Sequence, residues 1–447
     1  MRPPTLLRSR TTLTEQSARQ PSGAPAHEPR TRLIFTVVLF AFLLAATACA
    51  NELVPNGGWS APIESDGYVY VAGKDGHLVR IDAETGRFDQ GFRYPQGDGV
   101  GAIYGKPVAA NGAVYAAGYN CKGNRCDAQV FAADASTGQS AWAEGNFILD
   151  TRLVGGVAAN ESILVFGTTR LGNVEVPRGY LYALDPTPDA GGAAGEVIGD
   201  RLLWRLPVNQ EIWSQPVIVD NVAYFGTLAG TIYAVDLANE PMYVNAPESR
   251  VLWTFDAESI VNASPVVADG KIYFGDFANN FYALDLATRL QANSGSDIAP
   301  ATEWKADVEG WVWASALIDG ENVYVGTLGS RVYAFNRSNG AELWNQPAKI
   351  DGQVIASPTI VQSGSVRTLA VPSSDQDVHL ITLIDGANTG RRYSTNNQVM
   401  AEPLFVSEPS AAASVIVHSQ NGELRRFHPS SLNLLDCFKT EDGGRCN

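Results

Sequence analysis

The stretch Asn262-Ala-Ser-Pro-Val-Val-Ala-Asp-Gly-Lys-Ile-Tyr-Phe-Gly275 reads as two short strands around an Asp-Gly turn, the second strand alternating and aromatic-rich. Versions of it recur along the chain. Trp59-Ser-Ala-Pro-Ile-Glu-Ser-Asp-Gly67, Tyr104-Gly-Lys-Pro-Val-Ala-Ala-Asn-Gly112, Val154-Gly-Gly-Val-Ala-Ala-Asn160 and Trp213-Ser-Gln-Pro-Val-Ile-Val-Asp-Asn221 precede it. Trp313-Ala-Ser-Ala-Leu-Ile-Asp-Gly320, Ile355-Ala-Ser-Pro-Thr-Ile360 and Met400-Ala-Glu-Pro-Leu-Phe-Val406 follow, the last two with degenerate turns.

The anchor positions of these copies, 62, 107, 157, 216, 265, 316, 358 and 403, are 42 to 59 residues apart. A period near fifty with several strands per repeat is that of a propeller blade. Each copy continues into a third strand, such as Ile232-Tyr-Ala-Val-Asp236 or Phe281-Tyr-Ala-Leu-Asp285, and a fourth expected to carry Trp142, Trp204, Trp253, Trp304 or Trp344. A four-stranded blade has two faces to bury and cannot do so alone, whereas a closed ring stacks each blade between two neighbours. The expected fold is therefore all-β, an eight-bladed β-propeller of four-stranded antiparallel blades over residues 59–440, with the Trp residues filling the gaps between blades. Each blade is expected to be one contiguous repeat, unless residues 50–58 add an outer strand to the last.

Ahead of the repeats, the apolar run 33–48 follows Arg30 and Arg32 and ends in Ala46-Thr-Ala-Cys49. That order is a secretory signal, residues 1–48, too short to span a bilayer comfortably. The small residues before Cys49 resemble a lipobox, which makes Cys49 the expected lipidated residue, 49–58 a linker and 441–447 a C-terminal tail. An ordinary cleaved signal or an uncleaved helix is the alternative. The other four cysteines form two local pairs, Cys121 with Cys126 and Cys437 with Cys446, read as disulfides of an oxidising compartment.

The formal charge is −15, and loss of residues 1–48, with six Arg and two Glu, takes it to −19. Nucleic acid and anionic lipid surfaces are poor partners for such a chain.

Asp134-Ala-Ser-Thr-Gly-Gln-Ser-Ala-Trp142 and Asn336-Arg-Ser-Asn-Gly-Ala-Glu-Leu-Trp344 resemble the repeat of quinoprotein-like (PQQ-repeat) propellers, and the resemblance covers the whole mature chain. It implies two kinds of relative: PQQ-dependent dehydrogenases, and noncatalytic envelope lipoproteins of the BamB type. The enzymes hold PQQ and calcium with a catalytic Asp and a disulfide between adjacent cysteines. This chain has no Cys-Cys dipeptide, and its nearest calcium-like pattern is Asp375-Gln-Asp377. It has no Gly-x-Ser-x-Gly or His-Glu-x-x-His, and Gly97-Asp-Gly-Val-Gly101 opens a strand, so no catalytic, cofactor or metal residue is assigned. Beyond His27 in the leader, His77, His379, His418 and His428 are read as structural.

One column exceeds what the fold needs. Three places before the anchor stand Trp59, Tyr104, Trp213 and Trp313, with Val154, Asn262, Ile355 and Met400 in the remaining copies. These rings are expected at the channel mouth, either stacking on a ligand or plugging the core. Enlarged loops at 186–201, 237–250 and 286–301 are expected side by side on the opposite face, and insertions at 120–126 and 171–179 on the aromatic face. The expected function is a monomeric, membrane-anchored scaffold that binds an envelope protein. A quinoprotein dehydrogenase and a cell-surface carbohydrate-binding propeller are the alternatives.

Overall fold

Residues 63–94 show the unit from which the molecule is built. Ile63–Ser65, Tyr68–Ala72, Leu78–Asp82 and Phe88–Tyr94 pair antiparallel in chain order. The computed structural model describes residues 58–446 apart from 123–124, 170–178, 190–200, 209, 239–242, 244–245, 288–299 and 408–412. The chain divides into Met1–Leu53 and Val54–Asn447, so the leader, Cys49 and most of the linker lie outside the described residues, as do the tips of the enlarged loops.

Eight four-stranded sheets follow one another, each drawn from four consecutive strands. The fold is the eight-bladed propeller, and among the described residues every blade is one contiguous repeat. The turns between first and second strands explain the recurrent Asp/Asn-Gly pairs. Asp66 and Gly67 have φ of 52° and 77°, and Asp269 and Gly270 have 47° and 73°, the two left-handed residues of a type I′ hairpin. In blade six the pairing Asp319↔Asn322 moves the turn to Gly320-Glu321, with positive φ at the Gly.

Alternate residues of the middle strands face opposite neighbours, so these strands are buried on both faces: Val69, Val71 and Ala72 are each 0% exposed. The junctions of blade five with six and of six with seven share one repeated contact. Trp304 Nε1 and Tyr273 Oη of blade five both donate to the Arg337 carbonyl of blade six, at 3.0 and 3.3 Å. Trp344 Nε1 donates likewise to Leu383 O of blade seven at 3.1 Å. The following turn must be bare for the indole to lie on it: a Cβ on Gly340 would fall 2.7 Å from Trp304, and one on Gly386 2.5 Å from Trp344.

The inter-blade role expected of the Trp residues is thus seen, but their placement needs correcting in blades two and six. Trp142 and Trp344 precede the fourth strands Phe147–Leu149 and Ala348–Lys349 and do not lie in them. Single bridges, Ala133↔Ser140 and Phe335↔Glu342, close the hairpin first, and the chain then breaks from the ladder to seat the ring.

Among the described residues, blade eight closes on blade one without a shared strand. Val69, Val71, Val79 and Ile81 pack with Val406, Ile416 and Leu424. Buried His418 meets Ser60 O through Nδ1 at 2.8 Å, and Arg426 donates to Thr85 O. Beyond the last strand, Glu441 pairs with Lys74 at 2.8 Å and its carbonyl accepts from Arg93. Both expected disulfides, Cys121–Cys126 and Cys437–Cys446, are formed.

Candidate aromatic face and channel throat

The first strands of neighbouring blades lie beside one another at the inside of the ring, and in three blades the residue before the anchor position meets its counterparts there, at the throat. In blades two, four and eight these are Lys106, Gln215 and Glu402. Lys106 Nζ lies 3.2 Å from Glu402 Oε2, an ion pair across the ring closure. Gln215 accepts from Lys106 N at 3.0 Å and donates to Lys106 O at 3.1 Å and Val157 O at 2.8 Å, tying three innermost strands together. Blade three makes room with glycine: a Cβ on Gly156 would lie 2.5 Å from the Gln215 amide. These polar throat groups satisfy one another.

The rings of the expected aromatic column fall into separate ring contacts. Trp59 and Tyr104 come together at 4.4 Å between ring centroids, and Tyr104 continues to Tyr119 at 6.2 Å. Trp59 and Tyr104 are half-buried and Tyr119 is buried, and burial pushes the Tyr104 hydroxyl well above the usual phenol range, the neighbouring Tyr119 adding to it. Trp213 stands apart, its buried indole N–H without an acceptor among the described residues. Trp313 belongs to a second cluster: Phe277 lies 5.5 Å from it at 21°, and 4.8 Å from Trp311 at 6°.

Phe277 and Trp311 are the site residues that sequence reading missed. Phe277 opens the loop between second and third strands of blade five. Its N–H donates to Ile260 O, just as Leu328 N–H of blade six donates to Trp311 O. A signal was available in the alternation Trp311-Val312-Trp313, in which Val312 is buried and both Trp are half-buried.

The histidines read as structural have local partners. His77 Nε2 meets Gly97 O at 2.8 Å, His379 pairs with Asp375 at 2.8 Å, and His428 Nδ1 accepts from Ser430 and Ser431 N–H groups. Asp375, Asp377 and His379 bring ligand atoms within 4.8 Å of one another, but Asp377 is already engaged by Arg392 at 3.1 Å and Ser394 at 2.6 Å. A separate cleft of about 220 Å³, lined by Val79, Phe88, Gln90, Arg93 and Glu441, sits at the ring closure.

Comparison with known proteins agrees with this geometry. A family model described as outer membrane protein assembly factor BamB matches residues 45–290 and 286–435. Among solved structures, BamB from Moraxella catarrhalis superposes with a TM-score of 0.51 at 15% identity, covering 76% of this chain and 85% of that one. The computationally designed Ika8 protein superposes with a TM-score of 0.56 at 14% identity, covering 83% and 96%. No curated protein matches. Identities this low establish shared architecture, and the family match spans most of the chain: it belongs to the family of the outer membrane protein assembly factor BamB.

Proposed function

We infer that the protein is a noncatalytic envelope scaffold, exported by residues 1–48, lipidated at Cys49, and binding another protein through its loop faces. The observation that carries this reading is the throat. A quinone-and-calcium site needs free carboxylate and carbonyl oxygens converging over the channel. Lys106, Gln215 and Glu402 instead bond one another. These residues do not suit PQQ with calcium.

Family membership supports the same reading: the name of the matched model describes an assembly factor of the outer membrane, and fold alone carries no activity. The face bearing Phe277, Trp311 and Trp313 offers the recognition chemistry that loops on rigid scaffolds commonly hold.

Two measurements test the reading. Site-specific photocrosslinkers placed beside Trp311 in living cells are expected to trap a discrete envelope protein. The purified protein, supplied with PQQ and calcium, is expected to show neither quinone absorption nor dye-linked alcohol oxidation, and turnover would overturn the scaffold assignment. The anchor is tested separately: Cys49→Ser is expected to abolish metabolic labelling by palmitate and to release the protein from membranes into the soluble fraction.

A further inference from the structure

Two loops on the aromatic face repeat one pattern. Asp256-Ala-Glu258-Ser-Ile260 leads from the outer strand of blade four, and Asp307-Val-Glu309-Gly-Trp311 from that of blade five. In each, two exposed carboxylates lie just upstream of a half-buried apolar side chain. Backbone bonds fix both loops against their neighbours: Glu258 N–H donates to Tyr282 Oη at 3.4 Å and Glu309 N–H to Tyr333 Oη at 2.6 Å. Phe277 bridges the two, bonded through its N–H to Ile260 O and lying near-parallel to Trp311 and Trp313.

The charge around these rings is one-sided. Asp256, Glu258, Asp307 and Glu309 are joined by buried Asp276, adjacent to Phe277. Lys305 pairs with Glu258 at 2.7 Å and Arg331 with Glu309 at 3.2 Å, so five carboxylates against two cations leave a surplus of three negative charges. Aromatic faces flanked by carboxylates attract cations twice over, through the ring quadrupole and through charge. An anionic lipid or nucleic acid is repelled by the same surplus. A neutral glycan would gain stacking from the rings but nothing from the excess charge.

We propose that the Ile260–Phe277–Trp311–Trp313 surface of blades four to six docks a peptide segment of a partner protein in which Arg or Lys alternates with large apolar residues. The partner's apolar side chains cover the half-exposed rings, and its cations sit over the ring faces and against Asp256 and Asp307. The inference rests on the scaffold reading and names the partner chemistry for it.

The test is selection from a library of random displayed peptides on the full chain, expressed with its leader in cells that form disulfides. Enriched peptides are then synthesised and their binding followed by fluorescence anisotropy. Enrichment of cationic, apolar sequences is expected, with affinity at least about tenfold weaker for Trp311→Ala, since a central aromatic anchor dominates such contacts. Asp256→Asn with Asp307→Asn is expected to weaken binding several-fold and to flatten its salt dependence. Far-ultraviolet circular dichroism and melting curves show that each variant is folded, and Phe277→Leu serves if Trp311→Ala is not. Enrichment of acidic or uncharged peptides, an absence of enrichment, or affinity unchanged in folded variants overturns the proposal. Binding of a neutral oligosaccharide with loss on Trp311→Ala, without peptide binding, replaces it with a glycan site. Failure here leaves crosslinking to an envelope protein intact, whereas quinone-dependent turnover removes the scaffold reading whatever the peptide result.

Discussion

At the scale of single residues, the ring depends on positions where a side chain would intrude. Gly340 has φ of 71° and a would-be Cβ 2.7 Å from Trp304, while Gly364, at φ 61°, has nothing within 4 Å. Ala at Gly364 meets only the left-handed backbone cost of about 1 kcal/mol. Ala at Gly340 must also move a buried indole, so a total of about 2–4 kcal/mol is expected from urea unfolding; equal losses would mean that the docking contact is soft. His418 makes a different prediction. Burial pushes its pKa below the ordinary imidazole value, with only Ser60 O opposing, so the folded state binds fewer protons than the unfolded chain. The stability it contributes is complete above the unfolded pKa of about 6.5 and is lost as pH falls from there toward the folded value, at up to about 1.4 kcal/mol per pH unit. Urea midpoints at decreasing pH should fall more steeply for wild type than for His418→Gln.

At the scale of elements, two solutions to the same docking problem occur in different parts of the ring. Blades six and seven lay a bare glycine turn on the preceding Trp. Blades three and four carry enlarged loops instead, and a buried Arg takes the glycine's place. Arg201 covers Trp142 at 4.7 Å, donates to Asp185 O and Thr187 O, and pairs with Glu144 and Asp189. Arg250 covers Trp204 at 4.2 Å and donates to Asp236 O and Ala238 O. The guanidinium thus closes the loop base and caps the indole together. Arg201→Met would keep much of the packing but strand Glu144, itself only 8% exposed at the side chain. A loss of about 3–5 kcal/mol is expected, and Arg201→Met with Glu144→Gln should recover a good part of it. A double variant as unstable as the single would assign the loss to packing. The strands, turns and blade count could be read from the repeat because period-two alternation and Asp-Gly turns are local. The Arg substitution could not, because Arg201 and Arg250 lie at the far end of irregular loops and the indoles they cover belong to the preceding blade. The candidate site divides the same way. Trp313 was visible as a member of a column, but its separation from Trp59 and Tyr104 follows from which loop packs beside each ring, and Phe277 enters from a different strand pair.

At the scale of the whole molecule, a ring of contiguous blades has one seam, between blades eight and one, that no shared strand crosses among the described residues. Apolar burial, His418 with Ser60, and the segment after the last strand hold it. The Cys437–Cys446 disulfide sits where it can matter, because it fixes the chain on either side of Glu441, whose carboxylate and carbonyl hold Lys74 and Arg93 of blade one. Cys121–Cys126 joins directly opposed residues of one hairpin and crosses no seam. Chain entropy alone makes the two bonds nearly equal: loops this short are worth about 2–3 kcal/mol each, and sequence separations of 5 and 9 separate them by under about 0.5 kcal/mol. A larger difference must therefore come from the folded ring. Cys437→Ser with Cys446→Ser is expected to destabilise by distinctly more than Cys121→Ser with Cys126→Ser, and to speed amide exchange first in the middle strands of blades one and eight. Equal losses with uniform exchange would mean that the apolar seam holds the ring without the latch.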